Sequence, residues 1–131
     1  MTYDNFHSLP VYRKALELRH MSREIASYVS FNKNLLKLYQ SNSHRDAIAG
    51  SLLTDAILIP QKIALAENTS CPNERMKIAT YINIMIRNIN SYCRGLEKDG
   101  VKEREYLNLL RQEVKSFRKS FKLWRRSFSG E

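Results

Sequence analysis

The chain has 131 residues, 43% of them hydrophobic, with four glycines and three prolines. That is the size and composition of one globular domain with a single core, and it excludes a disordered chain. A net charge of +9 points to a polyanionic partner such as nucleic acid, or else to a solvated lysine-rich face.

The charge is concentrated. Residues 1–70 carry eight basic and six acidic side chains, and residues 71–131 carry fourteen and seven. Cys71 and Cys93 are the two cysteines, too few for a disulfide framework and not at a metal-binding spacing. Met1 to Pro10 lacks the apolar run of a signal peptide. The longest apolar stretch, Leu52 to Ala66, is interrupted by Asp55, Pro60 and Lys62, so no bilayer span is expected. A soluble cytoplasmic protein is the simplest reading.

Residues 1–9 read as a lead-in, with Ser8 placed to cap a first helix whose early turn holds Pro10. That helix covers about residues 10–29, with Val11, Ala15, Leu18, Ser22, Ile25 and Val29 inward. Phe31 to Ser43 mixes turn formers (Asn32, Asn34, Ser41, Asn42, Ser43) with Leu35, Leu36, Leu38 and Tyr39. It reads as a loop containing a helical turn, packed over one end of a bundle. The second helix covers about 44–67, with Ala49, Leu52, Ala56, Ile59, Ile63 and Ala66 inward. Ile48, Leu53, Ile57, Leu58 and Leu65 carry apolar surface round its other sides, which predicts burial on more than one side and a subunit interface. Pro60 inside it deletes one backbone hydrogen bond and predicts a kink. Ala49-Gly50-Ser51 reads as a small-residue packing notch.

The third helix covers about 72–98, opening at Pro72 after a Ser70 or Cys71 cap. Its seam is Ile78, Ile82, Met85, Ile89, Tyr92 and Leu96, and Gly100 is a left-handed stop. The fourth covers about 102–128. Leu107, Leu110, Val114, Phe117, Phe121, Trp124 and Phe128 recur at alternating steps of three and four, the mark of a helix packed against helices. Beside this seam lie Arg111, Lys115, Arg118, Lys119, Lys122, Arg125 and Arg126, opposed within residues 111–126 by Glu113 alone. No period-two stretch competes. The chain reads as one all-α domain over 1–131: an up-down four-helix bundle with a kinked second helix.

Catalytic signatures are missing from the sequence. His7, His20 and His44 lie far apart. Glu17-Leu18-Arg19-His20 is a lone Glu-x-x-His, where a di-iron bundle needs one on each of two helices, and there is no glycine-rich phosphate loop or nucleophile elbow. No metal, cofactor or catalytic residue is expected. Asp55, a carboxylate on an apolar helix, reads as a general base or as the structural partner of a basic group such as Arg87 or Arg94. Asn83, Asn88 and Asn90 read as polar contacts between subunits or as exposed residues. Trp124 reads as a stacking surface or a seam residue. The seven cations of the fourth helix are the candidate nucleic-acid-binding residues. They reach phosphates without reading bases.

Two stretches resemble a bacterial four-helix-bundle family. This family includes proteins encoded within intervening sequences of 23S ribosomal RNA genes and the accessory variability proteins of diversity-generating retroelements. Asn5-Phe6-His7-Ser8-Leu9-Pro10-Val11-Tyr12-Arg13-Lys14-Ala15 is similar to the family's opening. Ile59-Pro60-Gln61-Lys62-Ile63-Ala64 resembles its second-helix motif. Lys62 stands where the family has Asn, Leu65 and Ala66 intervene before Glu67, and Asn68 stands where Gly is usual. The resemblance implies an up-down bundle assembled as a ring-like homopentamer, without catalysis. Its retroelement branch implies binding of RNA or DNA and of a reverse transcriptase. Its intervening-sequence branch is compatible with a protein-docking module that has no nucleic-acid role.

Overall fold

The computed structural model describes residues 3–129. Four long helices account for the architecture, with no strand among the described residues: α1 (Pro10–Val29), α2 (His44–Glu67), α3 (Pro72–Lys98) and α4 (Arg104–Arg126). Short 3-10 segments lie at Tyr3–Ser8, Leu35–Gln40 and Ser127–Ser129. The first of these was not anticipated. The N-cap of α1 falls on Leu9, which makes no side-chain cap bond, so Ser8 is not the cap. Cys71 takes the N-cap of α3, again without a side-chain bond. Helix α4 begins at Arg104 instead of 102, because Val101 is drawn into the turn. Gly100 has φ +97°, and the Val101 N–H donates to Leu96 O at 3.1 Å. This closes α3 in a Schellman-type stop with Val101 buried.

Side-chain ties at both ends show that successive helices are antiparallel. Asp46 at the start of α2 holds the chain just after α1. Its carboxylate accepts from Phe31 N at 2.6 Å, Asn32 N at 3.1 Å and Ser41 Oγ at 2.8 Å. Arg45 donates to Asp99 Oδ2 and to Asp99 O, both at 2.8 Å, fastening the start of α2 to the end of α3. The Tyr28 and Tyr106 rings, 4.8 Å apart, join the end of α1 to the start of α4. At the opposite pole Glu67 accepts from Arg75 at 3.0 Å and from the Trp124 indole N–H at 2.8 Å, which ties α2, α3 and α4 together.

The core follows the seams. All seven seam residues expected for the fourth helix are buried, Phe117 completely, although α4 ends at Arg126 and Phe128 falls in the 3-10 segment after it; the inner residues expected for α2 are buried too. Helix α2 runs unbroken through Pro60, which is itself buried. Gly50 faces the Leu35–Gln40 segment, where a β-carbon would lie 3.4 Å from Leu38 Cβ. That is the packing notch read from the sequence. Gly95 is tighter: a β-carbon there would meet Ile48 Cδ1 at 3.1 Å. Helix α2 is long and apolar enough by composition to cross a membrane, but its inner face is bundle core. Its outer side leaves Ile57 and Leu65 exposed, and Tyr81 and Ile84 of α3 are exposed as well.

Candidate nucleic-acid interface

At about 100° per residue, the seven candidate cations of α4 fall within an arc of about 120°. The centre of that arc lies roughly 110° round the helix from the centre of the buried seam. The oily and cationic tracks therefore run side by side. Glu113, the acid among them, falls on the far side of the helix, against α1. Burial raises its carboxyl above the usual range, and the nearby Glu17 adds to that, against the pull of Lys14. It does not screen the cationic arc.

The arc faces α3, and the two ends of the α3–α4 seam differ. Near the connecting turn two of the cations are ion-paired. Glu97 accepts from Arg111 and lies 4.0 Å from Arg104 Nε. Arg111 also donates to Asn108 Oδ1 at 3.0 Å. The assignment of Arg111 to a free phosphate-binding stripe is thus corrected. Its spacing matches Arg118, but the carboxylate opposite it on α3 makes it a tie between helices.

Further along, Arg118, Lys122 and Arg125 converge with Arg87 and Asn83 of α3 around a cavity of about 250 Å³ floored by Phe121. Among the described residues no carboxylate lies within ion-pair distance of Arg87, Arg118, Lys122 or Arg125. The Arg125 guanidinium rides over the Phe121 ring at 5.8 Å, a cation–π contact that holds it at the cavity edge. Lys115, Lys119 and Arg126 are exposed on the outer side of the arc. Arg87 and Asn83 were missed as site residues. The short turn at Gly100 sets an antiparallel register that could have placed them opposite Phe121 and Lys122.

Aromatic side chains in this region are spoken for. Phe121 is 2% and Trp124 8% exposed. The Trp124 indole is bound to Glu67 and its ring packs on Phe128, with centroids 4.6 Å apart. Trp124 is therefore a seam residue, and neither it nor Phe121 offers an exposed ring face beside the cations.

A larger cavity of about 550 Å³ lies elsewhere, between the Leu35–Gln40 segment and α2. Leu36, Tyr39, Leu53 and Thr54 line it, with Asp55 and Tyr92 at one side. Asp55 pairs with neither Arg87 nor Arg94. Its Oδ2 accepts from Tyr92 OH at 2.8 Å and Asn88 Nδ2 at 3.4 Å, and Arg94 donates to Ser91 Oγ. Asn88 is thus an intrachain partner. Burial, then the Asp55 hydrogen bond and charge, push the Tyr92 phenol up to about 12. It stays protonated near neutral pH and acts as a donor. Cys93 is buried, and burial pushes its thiol up to about 11, so it is a core residue and not a nucleophile. No three His, Cys, Asp or Glu side chains among the described residues come together as a metal-binding set.

The site therefore defines the protein by class: an all-helical bundle with an acid-free basic cleft between its last two helices. No protein-family model matches the chain, and neither the curated proteins nor the solved structures contain a match.

Proposed function

We propose that the chain is a non-enzymatic nucleic-acid-binding bundle that holds the phosphate backbone of RNA or DNA in the cleft between α3 and α4. The observation that carries this reading is the unneutralised cluster of Arg87, Arg118, Lys122 and Arg125. The same seam is ion-paired near the connecting turn. Recognition is independent of base sequence, since no base-reading or stacking group stands beside the cations. With four or five phosphates contacted on duplex DNA, log affinity falls with log salt at a slope near −4. A titration by fluorescence anisotropy between about 50 and 200 mM salt measures it, and a flat salt response rules the backbone out as the ligand.

The resemblance to retroelement accessory proteins extends the proposal: a cytoplasmic accessory subunit that carries nucleic acid to a reverse transcriptase as a ring-like homopentamer. Supporting self-association, Ile57 and Leu65 of α2 and Tyr81 and Ile84 of α3 are large apolar side chains left exposed. Light scattering at micromolar concentration is expected to give a particle several times the 15.4 kDa chain mass. A particle of one chain mass eliminates the oligomer.

A second reading is a protein-docking module. It is favoured by the cavity beneath Leu36 and Tyr39, which are 84% and 80% exposed. A gel shift with mixed RNA and DNA at low salt separates the two readings, since docking alone gives no shift.

A further inference from the structure

We propose that the cavity bounded by Arg87, Arg118, Lys122 and Arg125 is a polyphosphate pocket. Its ligand is a condensed phosphate chain, carried either as the 5′-triphosphate of an RNA or by a free nucleoside triphosphate. The proposal rests on the nucleic-acid reading and narrows it.

The argument is one of charge density. At the two ends of α3 a carboxylate stands among the cations. Glu97 serves Arg104 and Arg111, and Glu67 serves Arg75. Around this cavity four cations from two helices converge, Asn83 adds a neutral donor, and no carboxylate joins the lining. Internal phosphodiesters carry one charge each and are separated by a whole nucleotide, so a single backbone phosphate leaves most of this charge unanswered. Phosphates joined through a shared oxygen bring three or four negative charges into one small volume. Three of the four cations are arginines, whose planar forks bind phosphate oxygens in pairs.

Size and lining agree. At about 250 Å³ the cavity is smaller than the roughly 300–1,000 Å³ of pockets that enclose a whole drug-sized ligand. It admits a phosphate chain and leaves sugar and base outside. Its aromatic floor, Phe121, is buried and covered at the edge by Arg125, so no ring face is offered to a base. The pocket reads the phosphates and is indifferent to the base. Lys119 and Lys115 on the outer side of the arc are then left to carry the following backbone.

The test compares a short single-stranded RNA bearing a 5′-triphosphate with the same RNA bearing a 5′-hydroxyl, by fluorescence anisotropy, with ATP and GTP titrated separately. The expected result is at least tenfold tighter binding of the triphosphate RNA. Arg87→Gln collapses this preference to about one, whereas Lys119→Gln weakens both RNAs alike and keeps it. Circular dichroism of Arg87→Gln is expected to match the native chain, because Arg87 is exposed. Equal, Arg87-sensitive binding of ATP and GTP without preference between the RNAs assigns the pocket to a free nucleotide. Equal affinity for the two RNAs together with no nucleotide binding overturns the proposal and leaves the backbone-binding reading standing. Failure of both RNAs to bind at low salt, with no nucleotide binding, removes both.

Discussion

Replacing Arg118, Lys122 and Arg125 together with glutamate is expected to abolish binding to RNA and DNA while the helical spectrum and melting curve stay close to native. The three side chains stand on one edge of α4, and with Arg87 they form the acid-free part of the cleft. The swap changes the local charge by six and leaves Arg87 facing three carboxylates. Each lost phosphate contact lowers the salt slope by about 1, so a slope near −4 falls toward −1. Non-specific complexes have dissociation constants of about 10⁻⁴–10⁻⁶ M at physiological salt, with little affinity to spare. The fold has more reserve. None of the three makes an ion pair with a described acid, and Lys122 and Arg125 are exposed. Exposed substitutions of this kind cost about 0.5 kcal/mol or less each. Glutamates in the last turns of a helix add roughly 0.3–1 kcal/mol through the dipole. Anisotropy and a thermal melt on the same preparation decide the matter. Binding retained at native strength would falsify the choice of this surface.

The helices were legible because each carries its own periodicity. The alternating steps of Leu107 through Phe128 contain both the length and the buried face of α4, and every residue of that seam is buried in the fold. Gly100 announced its stop, since its φ of +97° strains other side chains. What one helix cannot announce is who stands beside it. Arg111 and Arg118 occupy the same stripe by spacing, yet Glu97 on α3 claims the first and, among the described residues, no acid pairs with the second. Arg87 looked like a possible partner for Asp55 and belongs to the cleft. Asp55 is instead held by the neutral donors Tyr92 and Asn88. These differences depend on the register between neighbouring helices, which depends on packing at Gly95 and on the turn after Lys98. The lead-in was misread for a similar reason. Ser8 has the right chemistry for a cap, but the Tyr3–Ser8 segment is a 3-10 helix and the cap position falls one residue later.

Asp46 is the least expected of the structural residues, and its removal carries the largest predicted loss of stability. The sequence Ser43-His44-Arg45-Asp46 has the spacing of a helix N-terminal capping box. Ser43 does cap α2, accepting from Asp46 N at 3.3 Å. The Asp46 carboxylate reaches away from its own helix to the backbone N–H groups of Phe31 and Asn32 and to the Ser41 hydroxyl. It thereby pins both ends of the α1–α2 connection, with its residue 1% exposed. Asp46→Asn keeps the shape but turns an amide N–H₂ toward donors. Hydrogen bonds to a charged group are worth about 1.5–3 kcal/mol each. A net loss of about 3 kcal/mol is expected near neutral pH, or a fall in Tm of roughly 9–15 °C for a chain of this size. Burial pushes this carboxyl up, and the bonds from Ser41, Phe31 and Asn32 outweigh it, so the folded value lies below the usual one. A depressed folded pKa stabilises fully above the unfolded value of about 3.9 and loses that contribution as pH falls through the folded value. The gap between native and Asp46→Asn melting temperatures should therefore be constant from pH 7 to about 5 and narrow below about 4. A gap that persists unchanged to pH 3 shows that the carboxylate charge is not what holds the connection. Equal melting temperatures at pH 7 show that the three donors find other partners without it.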